Sequence, residues 1–273
     1  MKQGASWFNI ASLVVGFLFL YLPIALLVIY SFNESRLVTV WAGFSTKWYG
    51  EMLRNDGLMN AAWVTLKVAV VASTFATFLG TLAGLIMARF GGFRGRTLFS
   101  GMIYAPLVMP EVITGLSLLL MFVAISLDRG FVTVTIAHIT FSMCYVAVVV
   151  QSRLVSFDRS IEEAAMDLGC PPGRTFLQIT LPVIAPAVVA GWLLSFTLSL
   201  DDLVIASFTT GPGATTLPMK IYSQVRLGVT PEINAVCTIL VGLVATGVLA
   251  ASLVTRRQEL RREMEERAAQ AAP

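Results

Sequence analysis

Charged residues are scarce in this chain, and their scarcity limits the kinds of protein that it can be. Asp, Glu, Lys and Arg together supply 13% of the 273 residues, whereas soluble domains carry about 25%. Hydrophobic residues supply 56%, and the mean hydropathy is +0.79. Because so few polar side chains cannot cover a water-facing surface, the composition excludes a soluble globular protein and predicts a protein embedded in a membrane.

Residue sets that carry chemistry are missing as well. The three cysteines, Cys144, Cys170 and Cys237, are odd in number and far apart, so they predict neither a disulfide framework nor a metal site. The nearest approach to a phosphate-binding loop, at 91–97, has the wrong spacing and lacks the lysine. We therefore expect no catalytic site in this chain, and any ATP chemistry must be supplied by another polypeptide.

Six apolar segments are each long enough to cross about 30 Å of hydrocarbon at about 1.5 Å per residue. They lie at about residues 8–31, 60–88, 97–126, 132–151, 183–208 and 234–254. No small-x-small cleavage site follows the first segment, so we expect a retained span rather than a signal peptide. The predicted fold is an all-α polytopic membrane protein with six transmembrane helices, in a single transmembrane domain over residues 1–273.

Basic residues are distributed unevenly between the two predicted faces of the membrane. Twelve Lys and Arg residues lie in the segments predicted to be inside and six in those predicted to be outside, with Lys67 in a span. Because basic residues on short loops mark the cytoplasmic side, we expect both termini to be cytoplasmic. The tail at 255–273 alternates charge at helical spacing, which is typical of a solvated helix.

A polar interval on the predicted inner side, IEEAAMDLGCPPGRTFLQITLP, separates the fourth and fifth spans. Ser160 and Glu163 predict a capping box at the start of a helix over 160–167, and Gly169 predicts a left-handed end. A second short helix is expected from about 172 to 180. One face of the first helix is formed by Ile161, Ala164, Ala165 and Leu168, and the other by Glu162, Met166 and Asp167.

Fixed positions in this interval resemble a known motif. They are Glu163, Ala164, Ala165, Gly169, Ile179, Leu181 and Pro182. Both their identities and their spacing resemble the EAA loop of the permeases of binding-protein-dependent ABC importers. The resemblance extends over nearly the whole chain, from SFN at 31–33 through SLDDLVIASF at 199–208 to TLPMKIYS, and in that detail it is similar to the second permease subunit of the spermidine/putrescine importers.

The resemblance implies a fold, a location and partners. The fold would be that of a type I ABC importer (MetI-like) permease in the bacterial inner membrane, with a cytoplasmic coupling loop at 153–181 that inserts into a cleft on an ATPase. The implied partners are a paralogous permease, a homodimeric ATPase that binds ATP and Mg, a periplasmic polyamine-binding protein and the polyamine itself. No cofactor in this chain and no nucleic-acid partner are expected.

Carboxylates inside two of the predicted spans are candidate substrate ligands. Asp201 and Asp202, with Ser199 beside them, lie in the fifth span, where each carboxylate costs about 2.5–3.5 kcal/mol on insertion. Glu111 directly follows Pro110, which with another proline four residues earlier is expected to break the third span, and a broken segment should line a watery cavity. At about 1.5 Å per residue the acids reach similar heights, which predicts a cavity for a cation.

Other roles stay open for these positions. Asp201 or Asp202 either binds the substrate, caps a half-helix after a break, or pairs with a basic residue of a partner subunit. Trp48 is either an interfacial aromatic or, as the resemblance implies, a substrate contact whose ring face holds a cation. His138, the only histidine, is expected to be a packing residue rather than a proton relay.

These patterns predict the permease subunit of an ATP-driven putrescine/spermidine importer, which forms half of the translocation pathway. One alternative is a permease of the same architecture for another solute, although acids in the cavity disfavour an anion. A second is a proton-coupled secondary transporter that uses Asp201, Asp202 and His138 as a relay and needs no ATPase. A membrane-embedded enzyme lacks any arrangement of nucleophile, base or metal ligands in the sequence.

Overall fold

The computed structural model describes residues 7–37, 40–228, 230–247 and 249. Within those ranges the chain forms helices joined by turns, with one isolated antiparallel bridge between Asn33 and Phe44 and no strand. The predicted all-α class is therefore confirmed. Two units can be distinguished along the chain: Met1–Asp56 with Gln224–Pro273, and Gly57–Ser223.

The first unit begins with α1, Trp7–Tyr30, a helix of 24 residues. None of these described residues is buried, which suits a helix whose surroundings are lipid. The helix nearly coincides with the first predicted span at 8–31.

A turn segment folded around Asn33 follows α1 and leads to α2, Lys47–Arg54. The Asn33 side-chain amide donates to the carbonyl of Val40 at 2.7 Å, and its oxygen accepts the N–H of Ala42 at 3.0 Å. The backbone carbonyl of Asn33 accepts the indole N–H of Trp48 at 2.6 Å. One asparagine therefore holds together this segment, whose described residues form no regular secondary structure before α2.

Helices α3 to α11 follow α2 along the chain. They are α3 (Asp56–Arg89), α4 (Arg96–Val108), α5 (Glu111–Ala124), α6 (Phe131–Ser156), α7 (Ser160–Asp167), α8 (Pro172–Thr175), α9 (Leu181–Asp201), α10 (Val204–Thr209) and α11 (Leu217–Leu227). A π-helical segment, Phe176–Thr180, joins α8 to α9 without interruption. Residues Pro172–Asp201 thus form one run of 30 residues.

Helix α6 lies at the centre of the second unit, with α3 and α9 packed against it. Val146 and Val150 of α6 are fully buried together with Ile184 of α9. On the α3 side the contact is closer still, because a Cβ added to Gly80 would lie 2.7 Å from the carbonyl oxygen of Met143. Small residues allow membrane helices to approach to this distance.

Two of the predicted spans are interrupted in the structure. The third, predicted at 97–126 and expected to be broken by its prolines, consists of α4 and α5, whose axes differ by 118°, so the expected break is confirmed. Pro106 lies inside α4 without ending it, and the break falls at Met109 and Pro110. The fifth, predicted at 183–208, starts earlier, at the coupling loop, and ends at Asp201.

The number of spans is supported in part. In the described residues four helices are long and apolar enough to cross a membrane, or up to five if the bent pair of α4 and α5 is counted as one span. The sixth predicted span, at 234–254, corresponds to a shorter apolar helix, Pro231–Gly247, and its remainder lies mostly outside the described residues. The predicted tail at 255–273 lies outside them entirely.

The close approach of α3 to α6 predicts that alanine at Gly80 destabilises the protein by about 1–3 kcal/mol, because the neighbouring carbonyl belongs to the backbone and cannot turn aside. The matched control is Gly101→Ala in α4, where a Cβ would meet nothing within 4 Å. Thermal unfolding of the purified protein in detergent measures the difference. Equal melting temperatures for the two variants would contradict this account of the packing.

Candidate functional site

The side chain of Asp202, which lies in the break between α9 and α10, caps the start of α10. Its Oδ1 accepts the backbone N–H of Ile205 at 3.2 Å, and its Oδ2 accepts that of Ala206 at 2.7 Å. A carboxylate in this position satisfies amides that have no partner in the first turn of a helix. Of the roles left open for Asp202, the half-helix cap is the one that the structure confirms.

His138 connects α6 to this break. Its ring is completely buried, with Nδ1 at 2.6 Å from the hydroxyl of Ser199 and Nε2 at 3.1 Å from Oδ2 of Asp202. The expectation of a packing residue is correct as to burial, but it missed both polar contacts. A single histidine in an apolar span was the only sign of a polar contact in the sequence, because Ser199 and Asp202 are about 60 residues away along the chain.

The other two acids differ from Asp202 because their side chains are exposed. Asp201 ends α9 and Glu111 begins α5. Helix α5 packs closely on α10, since a Cβ at Gly115 would lie 2.7 Å from the ring of Phe208. The packing therefore places the start of α5 and the break after α9 in one region of the second unit.

A cleft of about 400 Å³ lies in this region. Its lining comes from α5, α10, α11 and the break, and consists of Val112, Leu203, Val204, Ser207, Phe208, Met219, Tyr222 and Ser223. Glu111 and Asp202 are the sequence neighbours of two lining residues. The cleft is thus mostly apolar, with hydroxyl groups in its wall and carboxylates next to it along the chain.

Trp48 belongs to the first unit, whereas Glu111, Ser199, Asp201 and Asp202 belong to the second. Its side chain is 2% exposed, its N–H is bonded to Asn33, and the ammonium of Lys47 lies 4.7 Å from the ring centre. These contacts show that the indole supports the turn segment. A role for Trp48 in contacting substrate stays a prediction.

The coupling loop has the helices expected from its sequence, but its first helix starts differently. Helix α7 covers the predicted residues, and Gly169 has a φ of +85°, as a left-handed helix end requires. The predicted capping box is wrong, because Ser160 is already inside the helix. Its N–H donates to Asp158 at 3.0 Å, which holds the pKa of that carboxyl below its ordinary value, and Glu163 pairs with Arg159.

Most of the motif residues on α7 point away from the core. Glu163, Ala164 and Gly169 are exposed, and so are the apolar neighbours Ile161, at 48%, and Leu168, at 91%. Exposed apolar side chains on a short, well-held helix are typical of a surface that binds another protein. The three later motif positions lie in the long helical run, where Ile179 and Leu181 are half-buried and Pro182 is exposed.

Glu162 is the residue of this loop that sequence analysis missed. It faces inward and is 8% exposed. Its Oε2 lies 2.7 Å from Nε of Arg89, and its Oε1 accepts the hydroxyl of Thr180 at 2.7 Å. The sequence contains no sign of these contacts, because Arg89 lies at the end of α3, far away along the chain.

Residues 80–262 match the model of a family described as "Binding-protein-dependent transport system inner membrane component". The chain belongs to this family. It is therefore an inner-membrane transport subunit without a catalytic role of its own, as the EAA-like motif predicted.

Similar proteins cover nearly all of the chain. The putrescine transport system permease protein PotI of Escherichia coli K12 is 58% identical over 260 residues, 93% of this chain and 92% of the relative. The spermidine/putrescine transport system permease protein PotC of the same strain is 45% identical over 238 residues, 87% and 90% of the two chains. Both relatives are permease proteins by name.

Among solved structures, a bacterial ABC transporter involved in the import of the acidic polysaccharide alginate matches with a TM-score of 0.69 and 15% identity. The match covers 93% of this chain and 98% of that one. A second structure of an alginate ABC transporter, in complex with a periplasmic protein, also gives 0.69. At this identity the likeness concerns the fold, which is that of an ABC importer permease.

The contact of His138 with Asp202 predicts a local effect of its removal. In His138→Leu the carboxylate of Asp202 loses a ring nitrogen, and we expect the amides of Ile205 and Ala206 to exchange hydrogen about tenfold faster, which corresponds to about 1.4 kcal/mol. Hydrogen-exchange mass spectrometry of peptides from this break makes the measurement. Thr140→Val is the control, because this half-buried hydroxyl on the same helix bonds only to the carbonyl of Ile136 among the contacts described. Equal exchange in both variants would contradict the assigned contact.

Proposed function

We propose that this chain is a permease subunit of an ATP-driven importer of polyamines, putrescine or spermidine, and forms half of the translocation pathway. The observation that carries the proposal is the 58% identity to a putrescine permease over 93% of this chain. Family membership favours transport that depends on a binding protein, and it disfavours the proton-coupled secondary transporter.

The region around the break suits a polyamine chemically. Protonated amines require carboxylates, and the methylene stem between them requires apolar contacts. The exposed carboxylates of Asp201 and Glu111 supply the negative charge for the amines. The cleft, with Phe208 and Tyr222 in its wall, supplies the apolar contacts for the stem. Because Asp202 already accepts two backbone amides, we assign the ligand role to Asp201 rather than to its neighbour.

Coupling would use the exposed face of α7. We propose that the coupling loop lies in the cytoplasm, as do both termini, and docks on a homodimeric ATPase that binds ATP and Mg. A paralogous permease would complete the pathway, and a periplasmic polyamine-binding protein would deliver the cargo. The long helical run supports this arrangement, because 30 residues join the loop to Asp201 without a break and span on the order of 45 Å.

A mechanism follows from that continuity. When the ATPase pair closes, the docked loops of two permeases are drawn together, and each helical run moves as a stiff element. The far end of the run is the break beside Asp201, so the movement changes access to the acids rather than their chemistry. Opening to the outside would admit the polyamine, and hydrolysis would return the cavity to the inside.

Neutralising the exposed acid tests the proposed ligand role. We expect Asp201→Asn to lower putrescine uptake at least tenfold, because the amine loses its counter-charge, while the complex still assembles. Uptake of labelled putrescine in cells without another polyamine importer, together with co-purification of the ATPase, provides the two measurements. Asp128→Asn, an exposed acid elsewhere in the second unit, is the control. Unchanged uptake in the Asp201 variant would remove this residue from the pathway.

The left-handed residue of the coupling loop tests the docking role. We expect the complex that carries Gly169→Val to hydrolyse ATP without importing putrescine. Valine is strained at a φ of +85°, so the substitution shifts the turn after α7. Gly169→Asn is the matched variant, because asparagine tolerates this conformation. The amount of putrescine imported per ATP hydrolysed separates the two. Normal coupling in the valine variant would count against docking through this loop.

A further inference from the structure

Helix α7 is attached to the rest of the protein through one buried side chain. Of its eight residues, all of them described, Glu162 alone is buried. A cleft of about 390 Å³ opens beside it, with Met166 and Phe176 in its wall. The cleft leaves space between α7 and its neighbours, and across it the contacts of Glu162 with Arg89 and Thr180 join α7 to the rest of the second unit.

Each oxygen of the Glu162 carboxylate meets a different part of the fold. One is 2.7 Å from Nε of Arg89, at the end of α3, and the other accepts a hydrogen bond of 2.7 Å from Thr180. Thr180 is the last residue of the π-helical segment. The carboxylate thus connects α7 both to α3 and to the base of the long helical run.

Arg89 extends the connection to α6. Its Nη1 donates to the carbonyl of Leu154 at 2.9 Å, and its guanidinium lies 5.7 Å from the ring centre of Phe157. The side chains of Arg89 and Glu162 are only 14% and 10% exposed. Breaking one partner of such a pair leaves a charge with little access to water, which is strongly unfavourable.

The ion pair between Arg159 and Glu163 differs from that between Arg89 and Glu162 in its exposure. Arg159 and Glu163 lie on the same helical stretch, with side chains 61% and 56% exposed. Such a pair contributes little and connects no separate elements. Of the two neighbouring acids, Glu162 contacts α3 and the base of the long helical run, whereas the pair of Glu163 with Arg159 stays within one helical stretch.

We infer that Glu162 is a positioning residue that transmits movement of the coupling loop to α3 and to the helical run ending at Asp201, through its contacts with Arg89 and Thr180. The inference rests on the proposed function, because it requires an ATPase that moves the loop. It differs from docking itself, since Glu162 faces the core and is not available to a partner.

The test uses the complete complex, with the partner permease, the ATPase and the binding protein, in proteoliposomes. The quantity measured is the amount of labelled putrescine imported per ATP hydrolysed. Glu162→Gln keeps the shape of the side chain and removes its charge, and Asp128→Asn is the control, an exposed acid outside the coupling loop. Arg89→Gln and the double variant complete a mutant cycle.

We expect the complex that carries Glu162→Gln to assemble and to keep at least half of the ATPase rate of the unmodified complex. Its import of putrescine per ATP should fall about tenfold, while that of the control variant stays unchanged. Because both residues would act through one ion pair, the double variant should lose no more than the worse single variant. An import ratio in Glu162→Gln equal to that of the control would overturn the inference, and so would losses that multiply in the double variant.

If the complex that carries Glu162→Gln does not assemble, Thr180→Val replaces it in the test. Thr180→Val removes a hydrogen bond without removing a charge, and a lowered import ratio in this variant supports the inference, whereas a normal ratio overturns it. If the unmodified complex neither binds the ATPase nor imports putrescine, the proposed function itself fails, and the inference falls with it. A purely structural role for Glu162 would lower ATPase activity and import in proportion and leave their ratio unchanged.

Discussion

Backbone amides freed by a helix break must find acceptors when no water is present, and this constraint organises the centre of the second unit. Where α9 ends, the carboxylate of Asp202 accepts two amides of α10. That carboxylate is held in turn by His138, whose other nitrogen meets Ser199. A histidine and a serine that would otherwise be unfavourable in apolar helices thus stabilise one break, and the break ends the long helical run beside Asp201.

The same helical run connects the break to the coupling loop. Its first residues belong to the coupling loop, and its π-helical segment ends at Thr180, which bonds to Glu162. A π-helical turn is rare and is often found at functional sites. The polar contact at Thr180 reinforces the run at this point, so that movement of the loop is passed along the helix and not absorbed at its base.

Sequence analysis predicted what depends on local order and missed what depends on distance along the chain. The bounds of α7, the left-handed Gly169 and the family followed from residues close together in the sequence. The contacts of Glu162 with Arg89 and of His138 with Asp202 join residues that are far apart, and no local pattern encodes them. The bend after α4 was placed near the right prolines, but its size of 118° depends on packing.

Neighbouring acids in this chain take opposite roles, and the local backbone explains why. Successive residues on a helix point about 100° apart, which separates Glu162 from Glu163 on α7. Asp202 instead follows the last residue of α9 and has an extended backbone, with φ −63° and ψ 123°. Glu162 points into the core while Glu163 is exposed, and Asp202 caps α10 while Asp201 is exposed. At each end of the long helical run, the inward acid fixes the geometry that presents the outward one. Sequence analysis named Asp201 and Asp202 together and assigned a motif role to Glu163 alone, whereas the fold gives each of the four acids a separate task.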